Sequence, residues 1–311
     1  MQLRKKRSRL CARFWRRRDN PEGEDALAAA RIVDIHPHII SADTEKYPLA
    51  PVGGVRSGWS TTRPVTFEQL ITEMDDAGVG KAAIVHSSTT YGFDNSYVAD
   101  CVAQLPDRFI GVYAIDVLQP DAVATFDYWL SRGMAGIRLF TGGKTNQTTG
   151  EWLVDPRTFA LWERSAELGM PIVIQTTPAG LPMVIELLER FPGVNIALDH
   201  LARPELEDGP PYKAASSLFA LSRYDNLYLK LTPTACARFK SGNATPETFL
   251  PQLVTAFGAN RIAFGSNYPA SQGPLTQLVA DMKTCLHCLA DDHQAWILGK
   301  TAQVLYPALA D

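Results

Sequence analysis

Two histidines stand two residues apart in "VDIHPHII" (33–40), at the end of an apolar run, in a chain that has only six histidines. Side chains alternate along a strand, so Asp34, His36 and His38 are expected to share one face. Imidazoles ~6.6 Å apart along a strand can converge on one metal ion or one substrate group. Pro37 between them has no N–H for a strand ladder, so regular pairing should end here. The bland alternative is a pair of polar residues satisfied within a loop.

Other residues able to do chemistry sit at the ends of further apolar runs. "LDHLARP" places His200 and Arg203, "GIRLF" places Arg138, and "LYLKLTP" places Lys230 in a run where an unpaired ammonium would be costly. "VIQTTP" offers Gln175, "FGSNYP" offers Asn267, and "VHSSTTYG" offers His86, Ser87, Ser88 and Tyr91. Arg138 and Lys230 have a structural alternative, pairing with internal acids. His86 reads as a satisfied core histidine. Ser87 lacks a G-x-S-x-G elbow, which argues against a Ser-His-Asp hydrolase. "CLHC" (285–288) lies in a helical pattern with no second cysteine pair, so packing is its reading.

These positions need elements to hold them. Eight short apolar runs, at 31–36, 81–87, 109–115, 134–140, 170–176, 194–200, 226–232 and 261–266, alternate with amphipathic segments such as "TFEQLITEMDDAG" and "LPMVIELLERF". Continuous apolar strands imply burial on both faces, as in a parallel sheet covered by helices. Eight βα units in one domain predict a (β/α)8 TIM barrel, α/β in class. No Gly-rich phosphate loop follows the first strand, which disfavours a doubly wound nucleotide fold. The Pro- and Gly-rich insertion 42–65 separates strand 1 from its helix. It is expected to lie over the C-terminal barrel face as a lid or pocket wall.

Charge divides the chain. Residues 1–18 hold nine Lys or Arg and no acid, and the remainder carries 21 basic against 33 acidic residues, about −12. Residues 1–30 read as a basic, disordered extension and 31–311 as the barrel domain. Nucleic-acid binding is not expected, there is no apolar stretch long enough to span a bilayer, and the tail lacks the apolar core of a secretory signal. Five scattered cysteines suit reduced thiols in the cytoplasm.

With "VDIHPH", "LDHLARP" and "RIAFGSNYP" in this order, residues 31–311 resemble the amidohydrolase superfamily, in particular its amidohydrolase-2 branch of lactonases, including 2-pyrone-4,6-dicarboxylate lactonase, and metal-dependent decarboxylases. The resemblance implies that His36, His38 and His200 surround the scissile ester, with Asn267 beside them, and that Arg138 and Arg203 clamp substrate carboxylates. Lys230, Gln175 and Tyr91 are further candidates for substrate contact. The branch's usual G-[ST]-D-[WFY]-P is here Gly265-Ser266-Asn267-Tyr268-Pro269, and an amide cannot take a proton at neutral pH. The expected activity is hydrolysis of a small carboxylate-bearing cyclic ester. Metal-dependent non-oxidative decarboxylation is the alternative enzyme, and a binding pseudoenzyme lacking the strand-8 aspartate is the non-catalytic one. His36, His38 and His200 are the expected ligands if a divalent metal is used, zinc before others. The expected partner is a small carboxylate, and a homo-oligomer is allowed.

Overall fold

The computed structural model describes residues 31–141 and 150–310, so the expected 1–30 extension lies outside the described residues. All eight runs form strands: β1 (Ile32–Asp34), β2 (Val79–Val85), β3 (Phe109–Tyr113), β4 (Met134–Phe140), β5 (Ile172–Gln175), β6 (Ile196–Leu198), β7 (Leu227–Leu231) and β8 (Ile262–Phe264). They are parallel and ordered β1 to β8, each paired with its sequence neighbour. The Ile35 N–H donates to the Phe264 carbonyl at 3.2 Å, drawing β8 back towards β1. The sheet is thus a nearly closed (β/α)8 barrel.

Two apolar layers explain the continuous runs. One side of each strand (Ile84, Ile137, Ile174, Leu198, Leu229, Phe264) packs against the outer helices. The other side fills the barrel with small and branched residues, including Val33, Val85, Val112, Val173, Ala197 and Ala263. Leu305, Tyr306 and Leu309 from the C-terminal segment belong to this inner cluster. They plug the N-terminal end, where Lys81 donates to the Ala310 carbonyl at 2.6 Å. The opposite end is left for polar residues.

The helices begin where their caps dictate. Thr66 and Gln69 form a capping box at the start of Phe67–Ala77, and Gly78 ends it in the left-handed conformation. Thr245 and Thr248 cap Pro246–Phe257 in the same way. Among the described residues no helix is long and apolar enough to cross a membrane. The described cysteines are free thiols; Cys285 closes one helix and Cys288 lies just after it, and neither joins a metal-type cluster.

Candidate active site

The inward positions at the C-terminal ends of the strands carry the site. Arg138 on β4, Gln175 on β5, Asp199 just after β6 and Lys230 on β7 follow the interior alternation set by Val173 and Ala197. Asp199 is the hub. Its Oδ2 accepts the Nε hydrogen of Arg138 at 2.7 Å, and its Oδ1 lies 3.3 Å from Lys230 Nζ and 3.3 Å from His36 Nδ1. Burial opposes its charge, yet the His36 ring, the Lys230 ammonium and the Arg138 guanidinium hold this carboxyl well below the usual range. Lys230 also donates to the Ile35 carbonyl at 3.1 Å, and burial lowers its pKa. The pairing of Arg138 and Lys230 with an internal acid is therefore real. Asp199 itself was missed, although two buried cations at strand ends demand a carboxylate and Asp199 precedes His200 directly.

β1 departs from the expected alternation. Regular pairing stops at Asp34, before Pro37, and the inward residues are Val33 and Ile35. Asp34 instead turns its Oδ1 to the backbone N–H groups of His36 at 2.9 Å and Ser266 at 2.8 Å. His36 follows the bend inward beneath the other two histidines, 5.0 Å from the ring centroids of both His38 and His200. β8 can pass this close because Gly265 has no side chain; a Cβ there would lie 2.7 Å from His36 Cβ.

Above this layer a cavity of about 340 Å3 is lined by His38, Trp59, Arg138, His200, Arg203 and Asn267, with Ser57, Ser87, Ser88, Thr89 and Thr234 supplying hydroxyls. His38 gives its Nδ1 hydrogen to the Val85 carbonyl at 2.7 Å, which leaves Nε2 as a bare acceptor. Burial holds His38 neutral, its pKa lowered to about 3, and Trp59 stacks on its ring at 5.1 Å. Trp59 and Ser57, both from the 42–65 insertion, line this cavity. His200 pairs through Nδ1 with the Thr232 hydroxyl at 2.8 Å, and burial lowers its pKa to about 4.

His200 to Arg203 all have positive φ, 54° to 56°, four successive left-handed residues none of which is glycine. Such a run costs ~1–2 kcal/mol per residue, and strain of this kind collects at functional sites. It places both the His200 ring and Arg203 on the cavity wall. Burial and the neighbouring Arg238 and Arg138 lower the Arg203 pKa. Asn267 also has a positive φ, 53°, and its Nδ2 lies 3.3 Å from the Ser271 hydroxyl and 3.4 Å from that of Thr234.

Some expected site residues lie elsewhere. His36 and Lys230 are fully buried below the cavity, and Gln175 is buried with neither amide atom bonded. Tyr91 turns its hydroxyl to the Ser41 N–H at 2.7 Å, beside rather than in the cavity. His86 is the expected core histidine, with Nε2 2.9 Å from the Gly92 carbonyl.

The donors also fit a metal. His36, Asp199 and His200 bring ligand atoms within 4.8 Å of one another, forming a candidate metal site. Neither ring nitrogen of His36 nor Asp199 Oδ1 has a hydrogen-bond partner, although all are buried. Of the expected His36–His38–His200 trio, His36 and His200 are in this set, which adds Asp199 and does not include His38.

The protein is an eight-stranded parallel barrel with histidines, arginines and a buried carboxylate gathered at the C-terminal ends of its strands. The amidohydrolase family model matches residues 33–308, and the chain belongs to that family. It is similar to an L-fucono-1,5-lactonase from Burkholderia ambifaria, 24% identical over 256 residues that cover 78% of this chain and 84% of that protein. Among solved structures it resembles a putative 2-pyrone-4,6-dicarboxylic acid hydrolase from Pseudomonas putida, with a TM-score of 0.73, 21% identity, and coverage of 91% of this chain and 99% of that one. It also resembles a dihydroxybenzoic acid decarboxylase from Polaromonas sp. JS666 solved with manganese and an inhibitor, with a TM-score of 0.61, 16% identity, and coverage of 90% and 98%.

Proposed function

We propose that this enzyme hydrolyses a small cyclic ester bearing a carboxylate. The observation that carries this reading is one cavity whose wall combines a neutral imidazole with a bare nitrogen, His38, and two guanidiniums, Arg138 and Arg203. The lactonase and the putative pyrone-dicarboxylic acid hydrolase that this chain is similar to are both named for lactone-type substrates, which supports the same class.

The residues divide the work. Arg203, with the guanidinium edge of Arg138 not used by Asp199, holds the substrate carboxylate. His38 Nε2 takes a proton from water as its oxygen attacks the lactone carbonyl carbon. The ring C–O bond then breaks, and the same proton goes to the departing alkoxide, so water is consumed and a hydroxy acid released. Asn267 spends its N–H groups on Ser271 and Thr234, which leaves its Oδ1 to orient that water. His36, Asp199 and His200 would hold a divalent ion, zinc being the choice for nitrogen and carboxylate donors, and when bound it would polarise the carbonyl as a Lewis acid.

The test is turnover of paired lactones with and without a carboxylate by purified protein, following acid release. The carboxylate-bearing member should be favoured by about 100-fold in kcat/KM, and Arg203→Gln should remove at least ~10-fold of this through KM. If no lactone is opened but an aromatic acid releases CO2, the decarboxylase reading replaces this one; the shared barrel of the manganese-bound decarboxylase is what keeps it in view. Acids that bind with neither reaction occurring would leave a pseudoenzyme.

A further inference from the structure

A second cavity of about 160 Å3 borders the candidate active-site cavity as a neighbouring lobe, walled by Val52, Phe93, Ile115, Leu118, Phe140 and Trp152, and both spaces share Ser88, Arg138 and Phe140 in their walls. Arg138 Cζ sits 5.0 Å from the Phe140 ring centroid at this shared border. One lobe offers histidines and arginines, whereas most of the described residues lining the other are apolar, with Ser88, Asp116 and Arg138 as its polar members. Asp116 also borders the apolar lobe, but its Oδ1 accepts the Leu118 N–H at 3.1 Å and its Oδ2 a hydrogen from Gln119 at 2.8 Å.

We infer that the substrate carries an apolar ring, aryl or of similar size, which enters this second lobe while its carboxylate lies on Arg138. This rests on the lactonase reading and narrows its substrate class. Volume sets the size: a cavity of roughly 150 Å3 lined by aliphatic and aromatic groups accommodates benzene. Chemistry sets the kind, because a large polar group would lose its water against Val52, Ile115 and Leu118, while Ser88, Asp116 and Arg138 offer partners only at the margin. The lobe is built from separate parts of the chain, around Val52, Phe93, Ile115 to Leu118, Phe140 and Trp152, all at the C-terminal end of the barrel. Its preference is thus a property of the folded mouth rather than of one loop.

The experiment compares binding of 3-phenylpropionate and propionate by calorimetry, on the full chain. Both place a carboxylate within reach of Arg138, and only one has the ring. The phenyl acid should bind about 30-fold more tightly, the yield of burying one such ring. Leu118→Trp, which fills the lobe, should lower that ratio by at least ~10-fold. Val52→Trp fills it from a different segment and should act the same way, which guards against a variant that misfolds. Equal affinities for the two acids, no binding of either, or loss of both acids together in the filled variants would overturn the inference. Binding needs no turnover, so the two readings fail separately. A ring preference in a protein that opens no lactone would remove the lactonase and keep the lobe. Lactone turnover indifferent to the ring would do the reverse.

Discussion

Asp199 Oδ2 accepts the Nε hydrogen of Arg138 at 2.7 Å while Oδ1 faces Lys230 Nζ at 3.3 Å, so one fully buried carboxylate balances two buried cations. Breaking one side of such a group leaves uncompensated charge in the barrel. Asp199→Asn should therefore destabilise the fold by about 3–5 kcal/mol. Lys230→Met alone should cost a similar amount, and the double variant should cost clearly less than the sum, a non-additivity that only interacting residues show. Chemical denaturation of the four proteins measures it. Additive costs would mean that the cluster does not act as a unit.

His38 should define the acid side of the activity profile. Its Nδ1 hydrogen is committed to the Val85 carbonyl and burial lowers its pKa to about 3, so it is a neutral acceptor at any ordinary pH. The kcat/KM for lactone hydrolysis should stay flat down to about pH 5, without the inflection near 6.5 that an exposed histidine gives. His38→Asn should lower kcat by ~10²–10⁴ with little change in KM. An inflection near 6.5 that survives in His38→Asn would assign the base elsewhere.

The architecture was legible in the sequence because it rests on local, repeated physics. Runs such as "MPIVIQT" and "VNIALDH" are apolar throughout since both faces of each strand are covered, and the caps of Thr66 and Thr245 start helices by contacts within four residues. His38, Arg138, His200, Arg203 and Asn267, which line one cavity, stand out in the sequence because they sit at strand C-termini, where this fold places its sites. What stayed hidden is long-range. The Asp199 hub, just after β6, joins His36 from beyond the end of β1, Arg138 of β4 and Lys230 of β7, and no spacing announces such a pairing. The inward turn of His36 depends on β1 ending at Asp34, a boundary two residues earlier than the apolar pattern suggests. The left-handed run from His200 to Arg203 contains no glycine to mark it. Trp59 meets His38 only through the packing of an insertion whose sequence shows polarity and turns.

His86 offers a clean measure of how histidine burial shapes stability. It lies outside the cavity wall, bonded to the Gly92 carbonyl at 2.9 Å, and burial lowers its pKa to about 4. The unfolded chain protonates this ring near 6.5, so between pH 6.5 and about 4 the unfolded state binds more protons than the folded one. Its contribution is complete above pH 6.5 and is lost as pH falls through this window, with a slope of about 1.4 kcal/mol per unit. His86→Gln keeps an N–H for Gly92 and cannot titrate. Urea unfolding at pH 7, 5.5 and 4.5 should show a shallower loss for His86→Gln, by about one proton. Identical slopes would mean that His86 is already charged in the folded protein.

Asn267 and the metal question can be separated in one pair of proteins. The donors in place, His36, Asp199 and His200, share Asp199 with a Lys230 ammonium only 3.3 Å from Oδ1, so an entering divalent ion meets a fixed positive charge. Zinc affinity should accordingly rise by at least ~10-fold in Lys230→Met, read by metal content per chain after equilibration with buffered zinc. Asn267→Asp adds a carboxylate at the cavity wall, where the present amide lies against the Ser271 and Thr234 hydroxyls. If His38 is the base, that carboxylate adds a second acceptor and repels the substrate's own, so KM for an acidic lactone should rise several-fold while kcat stays within about threefold. A large gain in kcat would instead show that the natural asparagine has cost the site its base, and that the wild-type pocket binds without turning over.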